Sequence, residues 1–167
     1  LIKELGGVGM LTVRGDLSKQ RFQTAISKTC GLRIPQPLKV NTSKNLSLAW
    51  MSPDELLIFN YSEVFHKKIK KGLDSSLKGI HSLILDVSGA RNLFMVEGIL
   101  WRELLAKGSP VDLRKSAFTE KAFRRTRLGQ VSVAFWMASD NSVYIICGRS
   151  NSDFFYDWLC NAASDGS

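Results

Sequence analysis

Short apolar blocks recur along the chain, and the spacing inside each block predicts the element it forms. After a flexible turn at Gly6-Gly7-Val8-Gly9, residues 10–13 (Met10, Leu11, Thr12, Val13) read as a strand closed by Arg14-Gly15-Asp16. Ser18 is placed to cap a helix whose inward positions are Phe22, Ala25, Ile26 and Thr29, with Lys28 in its last turn and Gly31 just past its end. Pro35 and Pro37 keep that helix from resuming. Leu46, Leu48 and Trp50, the turn Ser52-Pro53-Asp54-Glu55 and then residues 56–59 read as strand, turn, strand. Residues 63–71 predict a helix with Val64, Phe65 and Ile69 inward, Lys67, Lys68, Lys70 and Lys71 mostly in solvent, and Gly72 as its end. A strand over 81–87 completes the order β-α-β-β-α-β across 9–87, the split βαβ pattern.

The second half repeats that order loosely. Residues 91–96 predict a strand, Gly98 a break, and Leu100, Leu104 and Leu105 one face of a helix stopped by Lys107-Gly108-Ser109-Pro110. A loop holding Val111, Asp112, Leu113 and Phe118 leads to a hairpin of residues 128–137 and 142–147 turned at Ser139-Asp140-Asn141. Ser150 with Asp153 reads as a capping box before a helix that faces inward through Phe154, Phe155, Trp158, Leu159 and Ala162, and residues 164–167 should fray. The expected fold class is α+β: two split-βαβ (ferredoxin-like) lobes, 1–88 and 89–167. Each is small for an independent core, so the two are expected to share one.

The composition of the 167 residues, 44% hydrophobic and 23% charged, excludes wholesale disorder and low-complexity classes. Apolar runs such as 143–147 fall far short of the ~18 residues that cross a bilayer. Nor does the Leu1-Ile2-Lys3-Glu4-Leu5 start have the pattern of a signal peptide, so a cytoplasmic protein without membrane partners is expected. Cys30, Cys147 and Cys160 are widely spaced and odd in number, which suits reduced structural thiols over a disulfide framework or metal site. A net charge of +8 points to an anionic partner without naming it.

Candidate chemistry is sparse. The two histidines, His66 in the lysine-rich helix and His81 at a strand start, have no evident partner in sequence, so neither a nucleophile–base pair nor a metal cluster is assigned. The early glycines precede a strand instead of joining strand to helix, which removes the phosphate-loop reading. The basic stretch 114–127 is more informative: Arg114, Lys115, Lys121, Arg124, Arg125 and Arg127 face one acid, Glu120. Guanidinium groups pair bidentately with carboxylates and phosphates and stack on aromatic rings, so this arginine bias marks Arg114, Arg124, Arg125 and Arg127 as a candidate partner or anion contact. Nucleic-acid binding is the weaker reading, because Phe118 and Phe123 lack the spacing of a base-stacking sheet.

Motifs in order along the chain resemble the gamma subunit family of heterotetrameric sarcosine oxidases. They are VRGD (13–16), MSPDELLIF (51–59), LDVSGARNLFMVEG (85–98), ILWRELLAKG (99–108), SPVDLRKSAF (109–118), FRRTRLGQVSVAFW (123–136) and GRSNSDFFYDWLCNAA (148–163). The resemblance implies a fold related to the folate-binding domain of aminomethyltransferases. It also implies membership of a complex with alpha, beta and delta subunits. That complex oxidises sarcosine to glycine, transfers a methylene group to tetrahydrofolate and reduces oxygen to hydrogen peroxide. FAD, FMN, NAD, tetrahydrofolate and zinc are expected in the partner subunits and none in this chain. The function so implied is that of a non-catalytic subunit; the alternative is a stand-alone folate-binding or nucleic-acid-binding module. Trp50, Trp101, Trp136 and Trp158 are candidate anchors, most of them in the core.

Overall fold

The computed structural model describes residues 1–164; the expected fraying of 164–167 lies for the most part outside them. In chain order the elements are β1 (Ile2–Leu5), β2 (Gly9–Gly15), α1 (Gln20–Cys30), β3 (Val40–Thr42), β4 (Ser47–Ser52), β5 (Glu55–Asn60), α2 (Glu63–Ser76) and β6 (Ser82–Asp86). There follow β7 (Arg91–Glu97), α3 (Trp101–Ala106), β8 (Phe123–Leu128), β9 (Val131–Ser139), β10 (Ser142–Gly148), a 3-10 turn at Arg149–Asn151, and α4 (Ser152–Ser164). No helix among the described residues is long and apolar enough to cross a membrane.

One compact unit comprises residues 7–88, with the antiparallel strand order β3-β4-β5-β2-β6. Alternate residues of its strands, Leu11 and Val13, Leu48, and Leu56 and Ile58, point to one face. There they pack on Phe22, Ala25 and Ile26 of α1 and on Ile69 and Leu73 of α2. Gly31 ends α1 in the left-handed region at φ 67°, its N–H donating to the Ser27 carbonyl, as its place in the sequence predicts. The helix is not capped by Ser18. Both the N–H and the hydroxyl of Ser18 donate to the Asp16 carboxylate, and the helix starts after Lys19.

The second helix of this unit departs from expectation twice. Val64 is 82% exposed, because the inward stripe runs through His66, Ile69 and Leu73, and two residues before His66 is about 200° away on a helix. Gly72 does not terminate α2, which runs on to Ser76. It is glycine because a Cβ there would lie 2.8 Å from Cγ2 of Thr29 on the neighbouring helix.

The other unit comprises residues 1–6 and 89–164 of those described, with the antiparallel order β1-β7-β10-β9-β8. Element by element it matches the first: β7, β9 and β10 correspond to β2, β4 and β5, and β8 to β3. The strand beside β2 is β6, which follows α2, whereas α4 is the last element among the described residues of this unit. The place beside β7 is taken by β1, with Ile2 opposite Val96 and Leu5 opposite Leu93. The amino-terminal ammonium donates to the Glu97 carbonyl at 2.7 Å, and the Asn92 amide to the Glu4 carboxylate. Residues 1–6 thus pack with the unit that begins at residue 89, whereas the sequence reading placed 1–88 in one lobe.

This unit buries its own cluster, including Phe94, Trp101, Phe118, Phe135, Phe155 and Leu159. The strand expected over 128–137 is two strands hinged at Gly129-Gln130, so β8, β9 and β10 form a meander. No Ser150–Asp153 capping box forms: a 3-10 turn precedes α4, and the Ser152 hydroxyl donates to the Arg149 carbonyl.

Candidate functional site

The basic segment is partly a strand. From Phe123 to Leu128 the chain pairs with β9, Phe123 opposite Trp136 and Leu128 opposite Val131, and forms one edge of its sheet. Period-two alternation then divides the arginines between faces. Arg124 shares a face with Leu128, which is in the buried cluster; Arg125 and Arg127 share the other with Phe123 and are exposed. The Phe123 ring lies tilted 5.9 Å from that of Trp136, which lies 5.5 Å from Tyr144, so an aromatic row crosses β8, β9 and β10.

Each arginine has a different setting. The Arg124 guanidinium lies 5.9 Å from the Phe118 ring and donates to the Phe123 carbonyl. Arg127 donates to the Gln130 carbonyl at 3.4 Å. Arg114 sits apart in the preceding loop and grips Asp112, its Nε 2.9 and 3.0 Å from the two carboxylate oxygens. Those hydrogen bonds hold the Asp112 carboxyl down at about 2. The loop is fastened from below by Arg102, which donates to the carbonyls of Leu113 at 2.7 Å and Phe118 at 3.0 Å while its guanidinium lies 4.4 Å from the Trp101 ring. Burial lowers the Arg102 pKa.

A polar cluster in the other unit escaped sequence reasoning. His66, expected to lack a partner, is buried with Nε2 2.8 Å from the Asp86 carboxylate and Nδ1 3.3 Å from the Asn60 amide nitrogen. The Ser88 hydroxyl donates to the other Asp86 oxygen at 2.6 Å and accepts the Met10 N–H at 2.8 Å. Partial burial pushes the Asp86 carboxyl up, but the hydrogen bonds from Ser88 and His66 outweigh it and hold the group at about 2. Although serine, histidine and aspartate meet here, Asp86 and Ser88 both approach the same imidazole nitrogen, so the relay that would activate the hydroxyl is not assembled. The cluster is a clamp joining β2, β5, α2 and the end of β6, and Gly9 is its close contact: a Cβ there would stand 2.3 Å from His66 Nδ1. The only sequence signal for it is the Asp86-Val87-Ser88 motif. His81 is exposed, away from this cluster.

Two thiols are pushed up by burial, Cys30 to about 12 and Cys147 to about 11, with the Glu4 charge adding to the second. Among the described residues no group of three His, Cys, Asp or Glu side chains is placed to hold a metal ion. Of the tryptophans, Trp101 and Trp136 are buried, the former donating from its indole to the Asp140 carbonyl at 3.0 Å. Trp158 is half-buried, stacked on Phe155 and lying against Gly108 and Gly129, where a Cβ would meet its ring at 2.4 and 2.9 Å; Trp50 is also half-buried.

Comparison with known proteins agrees with this architecture. The sarcosine oxidase subunit gamma of Corynebacterium sp. (strain P-1) is 25% identical over 143 residues, 84% of this chain and 69% of that protein. Among solved structures, heterotetrameric sarcosine oxidase from Corynebacterium sp. U-96 in complex with pyrrole 2-carboxylate has a chain that matches 98% of this one, and 83% of its own length, with a TM-score of 0.87 at 22% identity. Aminomethyltransferase T of the glycine cleavage system from Bartonella henselae matches 95% of this chain over 44% of its own, with a TM-score of 0.67 at 12% identity. The expected kinship of fold to aminomethyltransferases is thereby borne out. The model of the "Sarcosine oxidase, gamma subunit" family matches residues 14–165, nearly the whole sequence, and the chain belongs to that family.

Proposed function

We propose that this chain is the non-catalytic gamma subunit of a heterotetrameric sarcosine oxidase and that its role is to dock on and stabilise the alpha, beta and delta subunits. The observation that carries the reading is the family match over residues 14–165. In this reading the partner subunits hold FAD, FMN, NAD, tetrahydrofolate and zinc. They oxidise sarcosine to glycine and pass the methyl carbon to tetrahydrofolate, while this chain supplies surface. Arg125 and Arg127, exposed on an edge strand, support it: guanidinium groups at a sheet edge block unwanted strand pairing and offer bidentate contacts to an acidic partner.

The test is purification of the tagged chain from its native host, with mass spectrometry and an absorbance spectrum of what accompanies it. The expected product is a yellow complex containing large flavoprotein subunits. The variant R125E/R127E should lose those subunits faster at low salt, and the difference should shrink above ~0.5 M salt as screening removes the attraction. A lone, colourless wild-type chain would overturn the proposal.

A further inference from the structure

We infer that the groove between α1 and residues 33–37 docks an acidic segment of a larger partner subunit, whose Asp or Glu side chains meet Lys28 and Arg33. This rests on the subunit reading above and names a surface by which the chain is held. The groove encloses about 730 Å³, and its lining runs from residue 17 to residue 53, wholly inside the unit formed by residues 7–88. Lys28 stands in the last turn of α1, Arg33 and Pro35 in the loop after it, and Trp50 on β4.

Three observations point to an anionic segment. First, the lining holds two cations, Lys28 and Arg33, and no carboxylate. Both cations are exposed, and among the described residues neither has an ion-pair partner. The carboxylates that flank the groove in sequence are already engaged, Asp16 by the Ser18 hydroxyl and Asp54 by that of Ser52. On α2, by contrast, Lys67 and Lys70 are answered by Glu63 and Asp74 at four-residue spacing, whereas α1 contains no acidic residue. Residues 7–88 hold twelve Lys and Arg against six Asp and Glu, so this unit carries +6 of the net charge of +8.

Second, the groove is rich in unused donors. The Ser27 hydroxyl, the Trp50 indole N–H and the Arg33 guanidinium make no hydrogen bond to a described residue. A carboxylate only accepts, and guanidinium can hold one bidentately, so the lining suits acidic side chains. Third, the floor is a rigid anchor. Trp50 shares a face of β4 with Leu48, yet Leu48 belongs to the buried cluster while Trp50 stands outside it, half-buried. The register of β4 with β5 shifts just after Trp50, a bulge of the kind that re-aims a side chain. Tryptophan is enriched among interface anchors, and the fixed backbone of Pro35 beside it limits the ordering lost on binding. A second copy of this chain fits badly, because a two-fold contact here sets Lys28 and Arg33 against their own counterparts. A nucleic-acid backbone calls for a longer row of cations than this groove presents.

The test uses the complex co-expressed with its large subunits and a photoreactive benzoylphenylalanine at position 36, an exposed position of the lining, with position 64 in α2 as an exposed control. The expected result is a cross-link from position 36 to a peptide of a larger subunit with two or more Asp or Glu within a few residues, and no link from position 64 to that peptide. In parallel, K28E/R33E should weaken retention of the chain by roughly tenfold at low salt, with unchanged circular dichroism, and the loss should shrink above ~0.5 M salt. K68E/K71E makes the same change of net charge on the exposed face of α2 and should leave retention at the wild-type level. Cross-linking to a second copy, to nucleic acid or to a peptide without acidic residues, or equal retention of the two double variants, would overturn the docking site while leaving the subunit reading standing. Failure of the wild-type chain to join any larger subunit would overturn both.

Discussion

Replacing Gly72 by alanine sets two effects of known sign against each other. Alanine in place of an interior helical glycine stabilises a helix by about 1 kcal/mol. The new Cβ, however, would stand 2.8 Å from Thr29 Cγ2, well inside contact distance. Thr29 is poorly placed to yield, because its hydroxyl donates to the Ala25 carbonyl at 2.9 Å and lies 3.0 Å from the Ser76 hydroxyl, so rotating the methyl away breaks both contacts. Forcing a methyl into such a site costs about 1–3 kcal/mol. Taking about 2 for the clash and about 1 for the propensity, Gly72→Ala should destabilise the unit by about 1 kcal/mol. Thr29→Ser keeps the hydroxyl and deletes the methyl, and in that background the same substitution should stabilise by up to about 1 kcal/mol, a coupling of about 2 kcal/mol. Hydrogen exchange of peptides from α1 and α2, with urea unfolding of the purified chain, reads both numbers. A Gly72→Ala variant more stable than the native chain, or an equal effect in the two backgrounds, would refute the argument that helix contact demands this glycine.

Two further expectations follow from the hydrogen bonds. The Asp86 carboxyl is held at about 2 against an ordinary 3.8, so the stability it contributes is complete above pH ~4 and is lost as the pH falls from about 4 to 2. Because its side chain is 43% exposed, solvent screening reduces the effect to on the order of 1 kcal/mol. Melting curves between pH 2 and 6 should show a flatter acid limb for Asp86→Asn, and parallel limbs would count against the clamp. Arg102→Met removes the donors to the Leu113 and Phe118 carbonyls at a cost of about 1–3 kcal/mol and should free the loop that carries Arg114. Limited trypsin digestion should then cut at Arg114 or Lys115 sooner than in the native chain, and an unchanged digestion rate would show that the loop is held by something else.

What could be read from the sequence follows the range over which each element's signal extends. The turn chemistry between β4 and β5 and between β9 and β10 is local, and both hairpins were legible for that reason. The last turn of α1 and its glycine were legible for the same cause. In β1 four residues carry no usable period, and their partner β7 begins more than eighty positions later in the sequence. The arginine content of β8 hid its strand character, since only Phe123 and Leu128 at its ends are buried and edge strands accept charge on both faces. The arginines were visible as a cluster, but their division between two faces needed the register with β9. His66 lacked a sequence partner because Asp86 is twenty residues away and meets it only when α2 packs beside β6.

Supplying the outer strand of the second unit from residues 2–5 has a consequence for synthesis on the ribosome. Residues 7–88 emerge as an uninterrupted unit between the two partners, because β1 is made before them and its partner β7 is not finished until residue 97. At ~5–20 residues per second that is a wait of roughly 5–20 s during which the strand of residues 2–5 has no partner. The charged pair Lys3 and Glu4 in its middle suits a strand that must stay unpaired for so long, since charge discourages pairing with the wrong edge. Synthesis must therefore pass residue 97 before residues 2–5 find their place.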